Sequence, residues 1–230
     1  MTGLFFGSFN PIHWGHLIVA DIIRREYRLD KICFIPSLVS PFKSLTNTPT
    51  HRTNQKLLAQ FQIKITLLEL ALAHWDKFKL LTIEKSLPVP SYTYHTLRVL
   101  RKNHRRYNKA GLIIGEDNLN YFNQWKASAW ILNHYPIYIY KRQLNHLEQA
   151  TSNSSKPGGD TITTSTPEIQ TMIKKLQKTH PNAKLNFSAH MPLLPFSSTV
   201  IRSRLAAQKS IDHLVPQSVN NYIAHHNLYR

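Results

Sequence analysis

GLFFGSFNPIHWGHLIVAD, residues 3–21, joins a short apolar run to an amphipathic one through a turn that carries two histidines. Residues 4–6 read as a buried strand, and residues 17–27 place apolar side chains at helical spacing. Between them, Gly7 lets backbone approach a ligand with no Cβ in the way. Asn10-Pro11 signals a turn and a helix start, a side-chain acceptor for orphan amides followed by a preset φ. His13 and His16 then share one face of the first helical turns. Gly15 costs a helix about 0.5–1 kcal/mol relative to alanine, which a close approach by ligand would explain.

The histidine spacing alone carries little weight, because 13 histidines in 230 positions give about 0.7 such pairs by chance. Its setting gives it meaning. A helix start offers unpaired amides and the positive end of a dipole, so it attracts anions. Two imidazoles there donate to phosphate oxygens and meet charge that grows in a transition state. Two other roles stay open on these residues. A zinc site is disfavoured, since no cysteine or carboxylate lies within a turn on the same face and the dipole opposes a cation. A purely structural pair of capping histidines is the other.

Outward from this stretch, short apolar runs alternate with amphipathic segments. Strands are expected at 32–35, 78–83, 110–115, 135–140 and 184–187. Helices are expected from about 53 through an apolar face that includes Leu67, Leu68, Leu70 and Ala71, then at 93–101, at 168–179, and in a tail from about 197. Alternation of this kind predicts a doubly wound, mostly parallel α/β sheet with helices on both faces. Its ligand crevice should lie at the carboxyl ends of the strands. Residues 1–230 are expected to form one domain. Residues 150–166, poor in apolar groups, are expected as a mobile loop, and the part from about 197 as a small helical C-terminal portion.

Twenty-nine Lys and Arg against 12 Asp and Glu leave a formal charge of +17, which attracts polyanions. The cations are scattered, apart from the dense run at 101–106, which suits the C-terminal end of a helix. No aromatic and basic interleaving marks a nucleic-acid module, so no specific nucleic-acid partner is expected. The single cysteine, Cys33, sits in an apolar run, which excludes an intrachain disulfide and suits packing as a small hydrophobe. The first residues lack the pattern of a leader, and no window of 18 apolar residues occurs. A soluble cytoplasmic location, without a membrane partner, is the expectation.

The segment Ser8-Phe9-Asn10-Pro11-Ile12-His13-Trp14-Gly15-His16 resembles the signature of nucleotidyltransferases that carry an H-x-G-H motif on a Rossmann-like fold. The longer match is to the bacterial nicotinate mononucleotide adenylyltransferase family. It runs through Ile35-Pro36 with Pro41-Phe42-Lys43, and through Pro90-Ser91-Tyr92-Thr93 with Thr96-Leu97. It continues in residues 113–119 with Phe122 and Trp125-Lys126, and ends in Phe196-Ser197-Ser198-Thr199-Val200-Ile201-Arg202.

The resemblance implies transfer of an adenylyl group from ATP, accompanied by Mg²⁺, to nicotinate mononucleotide. The products are deamido-NAD and pyrophosphate. The mononucleotide phosphate attacks the α-phosphorus in line, with no covalent enzyme intermediate, so the protein supplies position and charge. The resemblance assigns His13, His16 and Arg202 to catalysis. It gives ATP Gly7, Ser8, Phe9, both histidines, Lys43, Gly115, Asp117, Ser198, Thr199 and Arg202. It gives the acceptor Asp117, the backbone amides of Tyr92 and Thr93 for the carboxylate, and Trp125 for stacking on the pyridine.

Three positions depart from the family pattern: Phe6 where Gly is usual, Asn10 where Asp is usual, and Phe42 where His is usual. Phenylalanine cannot donate to phosphate. Other acceptors (nicotinamide mononucleotide or pantetheine phosphate), a basic nucleic-acid-binding protein, and a nucleotide-binding relative without catalysis are the competing functions.

Overall fold

The opening apolar run becomes a central strand in the computed structural model, which describes residues 1–41, 51–141, 166–188, 191–192 and 196–230. The strands are β1 (Thr2–Gly7), β2 (Lys31–Pro36), β3 (Phe78–Leu80), β4 (Gly111–Gly115), β5 (Ile137–Tyr140) and β6 (Leu185–Ser188). They lie in the order β3-β2-β1-β4-β5-β6, and every neighbouring pair is parallel. The helices are α1 (Trp14–Glu26), α2 (His51–Leu72), α3 (Thr93–Asn103), α4 (Glu116–Leu119), α5 (Ser128–His134), α6 (Thr166–Thr179), α7 (Ser198–Ala206) and α8 (Gln217–His225).

Side-chain alternation along each strand feeds two cores. Phe5, Phe34, Ile113 and Tyr138 point to one face and pack with α1, α2, α7 and α8 through residues such as Leu17, Leu67, Ile201 and Val219. Leu4, Cys33, Leu112, Ile114, Ile137 and Ile139 point to the other and pack with α3, α5 and α6 through Leu97, Ile131 and Ile169. A strand buried on both faces reads as a continuous apolar run, which is why these segments were legible. Cys33 is buried and free, packed as a hydrophobe. Strand order reverses between β1 and β4, so a crevice opens at their carboxyl ends.

Several elements differ from expectation. The strand expected at 78–83 ends at Leu80, at the sheet edge. The Leu81 amide still donates to the Phe34 carbonyl at 2.9 Å, and the chain then enters the 3₁₀ turn Ile83–Ser86. The strand expected at 135–140 starts at Ile137, because Tyr135 closes α5 and Pro136 has no amide for the ladder. Helices α4 and α5 were not foreseen; seven residues or fewer leave too short a period to read. The loop expected at 150–166 lies outside the described residues up to 165, and Thr166 opens α6.

The C-terminal helices dock on the turn before α1. Ser198 Oγ donates to the Pro11 carbonyl at 2.9 Å, and Arg202 Nη1 to the Asn10 carbonyl at 2.7 Å. The Trp14 amide donates to the Leu214 carbonyl at 3.1 Å. The Tyr229 hydroxyl donates to Asn10 Oδ1 at 2.6 Å. Burial pushes that phenol up to about 12, so it remains a donor. Asn10 therefore does not cap α1, as the sequence suggested; its side chain holds the C-terminal tail instead.

A buried carboxylate fixes the segment after β2. Glu84, 2% exposed, accepts from the Thr96 hydroxyl at 3.0 Å and from the Leu38 amide at 3.3 Å. Ser91 Oγ accepts from the Leu38 and Val39 amides at 3.1 and 3.2 Å. From α2, Lys64 Nζ donates to the Ser37 carbonyl at 2.8 Å. Glu84 thus ties the 37–39 segment to the start of α3, which forms one wall of the crevice. Burial holds its carboxyl above the ordinary glutamate range, outweighing the Ser91, Thr96 and Leu38 hydrogen bonds and the Lys64 charge that pull it down. Because the folded value exceeds the unfolded one, the folded chain binds more proton between them, and stability falls as pH rises through that window. Glu84→Gln cannot titrate. In urea unfolding at a series of pH values, wild-type stability relative to Glu84→Gln should fall as pH rises from about 4.3, the unperturbed glutamate value. A difference that stays flat or rises contradicts the burial of this charge.

Candidate active site

Helix α1 starts at Trp14 rather than at Asn10-Pro11, with His13 as its N-cap in an extended conformation. His13 is 4% exposed. Its backbone N–H donates to His16 Nδ1 at 3.3 Å, and the two imidazoles stack with centroids 3.7 Å apart and planes 27° from parallel. A ring nitrogen that accepts carries no proton, so the His16 proton resides on Nε2. The two histidines meet as expected, one capping the helix and one in its first turn.

Aromatic packing holds His16 in place. Phe9, 1% exposed, lies edge-on to His16 at 5.0 Å, and Phe5 does the same at 6.3 Å. Phe9 adopts φ 43°, a left-handed conformation that costs a residue with a Cβ roughly 1–2 kcal/mol. That turn carries its ring back beneath Gly7, where a Cβ would sit 2.7 Å from Phe9 Cζ. Gly7 thus makes room for the Phe9 ring while it also lines the cleft. Gly15 is corrected in the same way: its missing Cβ would fall 2.8 Å from Phe196 Cβ and 3.0 Å from His13 Nδ1. Both glycines permit protein to approach protein.

The second helix start faces the first. Ser197 caps α7, its hydroxyl accepting from the Thr199 and Val200 amides at 3.2 and 3.5 Å. Arg202 sits one turn into α7, with Nη2 donating to Thr199 Oγ1 at 3.3 Å in addition to the bond from Nη1 to Asn10. A guanidinium has five N–H donors, so this leaves capacity for a ligand.

At the opposite wall, Tyr92 caps α3 and Thr93 is its first residue. The Tyr92 amide donates to the Pro90 carbonyl at 2.9 Å. This narrows the expected pair of backbone donors to the Thr93 amide, one of the N–H groups that a helix start leaves without an intrahelical partner. Trp125 stacks one face on Phe122, centroids 4.9 Å apart and planes 29° from parallel. Asp117 lies in the first turn of α4, behind Gly115 as N-cap, and accepts from Asn118 Nδ2 at 3.3 Å.

All of these side chains line one cleft of about 800 Å³: Gly7, Ser8, Phe9, His13 and His16; Tyr92, Thr93, Gly115, Asp117 and Trp125; Ser198, Thr199 and Arg202. Lys43 and Phe42 lie outside the described residues. The cleft is large enough for a nucleotide-sized ligand. Glu84, Ser91, Lys126 and Phe196 also line it, and the sequence assigned none of them a role. A lone glutamate between a strand and a proline-rich segment gives no periodic signal, and Phe196, though the first residue of the last motif, is an apolar side chain with no evident polar role. Among the described residues, no three His, Cys, Asp or Glu side chains group as metal ligands, and no helix is long and apolar enough to cross a membrane.

The sequence pattern of the cytidylyltransferase-like family matches residues 4–204. A protein of Cytophaga hutchinsonii, named "Probable nicotinate-nucleotide adenylyltransferase", is 35% identical over 227 residues, covering 99% of this chain and 97% of its own. A protein of the same name from Flavobacterium psychrophilum is 34% identical over 228 residues, covering 99% and 98%. Among solved structures, Plasmodium falciparum nicotinic acid mononucleotide adenylyltransferase complexed with NaAD superposes with a TM-score of 0.65 at 18% identity, over 99% of this chain and 96% of that one. That likeness concerns the fold: the six-stranded parallel sheet is of the Rossmann-like nucleotidyltransferase type. With a family pattern spanning most of its length and relatives matched end to end, the chain belongs to the cytidylyltransferase-like family of nucleotidyltransferases.

Proposed function

We propose that the protein transfers the adenylyl group of ATP to nicotinate mononucleotide, releasing pyrophosphate and deamido-NAD. The convergence of two helix starts on one cleft carries this reading, the first bringing His13 and His16 and the second Ser198, Thr199 and Arg202. Each helix start contributes roughly half a positive charge, which suits a triphosphate laid between them. The full-length relatives named for this activity support the same reaction.

An oxygen of the mononucleotide phosphate attacks the α-phosphorus of ATP. The bond from that phosphorus to the oxygen bridging to the β-phosphate breaks, and pyrophosphate departs with the electron pair. His16, protonated on Nε2 and held by Phe9 and Phe5, donates to an α-phosphate oxygen as charge accumulates there. His13 steadies His16 and the neighbouring phosphate, and Arg202 with Ser198 and Thr199 holds the leaving pyrophosphate. Lys43 adds a cation from the segment after Pro41. Gly7, Ser8, Phe9, Gly115 and Asp117 shape the nucleotide end.

The acceptor lies at the opposite wall. Thr93 donates its amide to the carboxylate with Tyr92 beside it, Asp117 accepts from a nucleotide hydroxyl, and Trp125 gives the pyridine the face not covered by Phe122. Mg²⁺ enters as part of the substrate, MgATP, shielding phosphate charge. Asp117 is an oxygen donor of the type this cation accepts alongside phosphates, and the described residues form no dedicated cage. We further propose that residues 1–230 act as one catalytic unit in the cytoplasm.

With MgATP and a panel of nicotinate mononucleotide, nicotinamide mononucleotide and pantetheine phosphate, pyrophosphate release should require the first. A clear preference for the amide, or release with none of the three, contradicts the assignment. His16→Ala should lower kcat by about 10²–10³, the usual loss on removing one preorganised donor. An unchanged rate in a folded variant removes His16 from the chemistry.

A further inference from the structure

Nicotinate and nicotinamide mononucleotides have nearly the same shape, and a backbone N–H donates to either a carboxylate or an amide oxygen, more strongly to the charged one. The Thr93 amide, at the start of α3, therefore orients either ring substituent and favours the carboxylate by only part of a charge. Charge is what distinguishes them, and a full cation beside the ring substituent rewards the anion more than the neutral amide.

Lys126 follows Trp125 directly, and both side chains line the cleft with Tyr92 and Thr93. The Lys126 ammonium stands 4.9 Å from the centroid of the Tyr92 ring, which brings the charge to the start of α3. Among the described residues no carboxylate forms an ion pair with it. His95, in the first turn of α3, is held below the usual histidine range by burial and then by the Lys126 charge. The backbone fixes its exit from the chain, because Ala127, the N-cap of α5, adopts φ 53° despite its Cβ. Arg202, by contrast, is engaged with Asn10 and Thr199 at the phosphate end.

Resting on the reaction proposed above, we infer that Lys126 is the specificity-determining residue that selects a carboxylate-bearing mononucleotide over its neutral amide. Its ammonium pairs with the carboxylate while Thr93 orients it and Trp125 stacks on the ring.

The test compares wild type, Lys126→Met and Lys126→Arg with both mononucleotides under saturating MgATP. For Lys126→Met the ratio of kcat/KM for the acid to that for the amide should fall about three- to fivefold, the upper part of the range for an exposed charge pair. The fall should reside in the KM of the acid, with kcat changed far less. Lys126→Arg, which keeps the charge, should retain most of the preference. A role confined to packing on Tyr92 would move both substrates together and leave the ratio intact, which overturns the inference while the reaction stands. An undiminished ratio in Lys126→Met overturns it equally. A wild type that adenylylates neither mononucleotide removes both the reaction and the selector.

Discussion

The docking of the C-terminal helices onto the turn at residues 10–14 is the contact on which the active site depends. Neither helix start is distinctive alone, since every helix leaves amides unpaired at its beginning. Here Arg202 and Ser198 reach the carbonyls of Asn10 and Pro11, so two such ends meet across one cleft. The bonds are individually modest, about 0.5–1.5 kcal/mol net for a typical hydrogen bond. Ile201, Val219 and Ile223 add apolar burial against the same sheet face that α1 covers. Loss of this docking would separate the imidazoles from the guanidinium without unmaking the sheet.

A second constraint works from beneath. Phe9 accepts a left-handed backbone so that its ring can fill the space under Gly7 and brace His16. A nucleotidyl transfer without a covalent intermediate asks for donors held still rather than for a strong nucleophile. Two imidazoles stacked on each other and walled by Phe5, Phe9 and Phe196 meet that requirement. Glu84 does the corresponding work at the acceptor wall, where a buried carboxylate gathers the 37–39 segment and Thr96.

Much of this was legible in the residues. The strands buried on both faces gave continuous apolar runs, and the spaced motifs around His13-Trp14-Gly15-His16 and Ser198-Thr199 marked both helix starts that line the cleft. What the residues concealed was mostly long-range. Gly7 and Gly15 looked like openings for ligand, but the groups that crowd them, the Phe9 ring at Gly7 and Phe196 Cβ with the His13 imidazole at Gly15, are revealed only by folding. Asn10 looked like a helix cap, whereas its partner Tyr229 lies 219 positions away in a tail with no motif. The amide of Tyr92 looked available until its bond to Pro90 appeared. Helices α4 and α5 were too short for periodicity to register.

A crystal structure with a non-hydrolysable ATP analogue tests the convergence most directly. The triphosphate should lie between the two helix starts, with oxygens about 2.7–3.2 Å from His16 Nε2 and from the Arg202 guanidinium. A triphosphate bound elsewhere, leaving Arg202 on the Asn10 carbonyl alone and the imidazoles untouched, would contradict it.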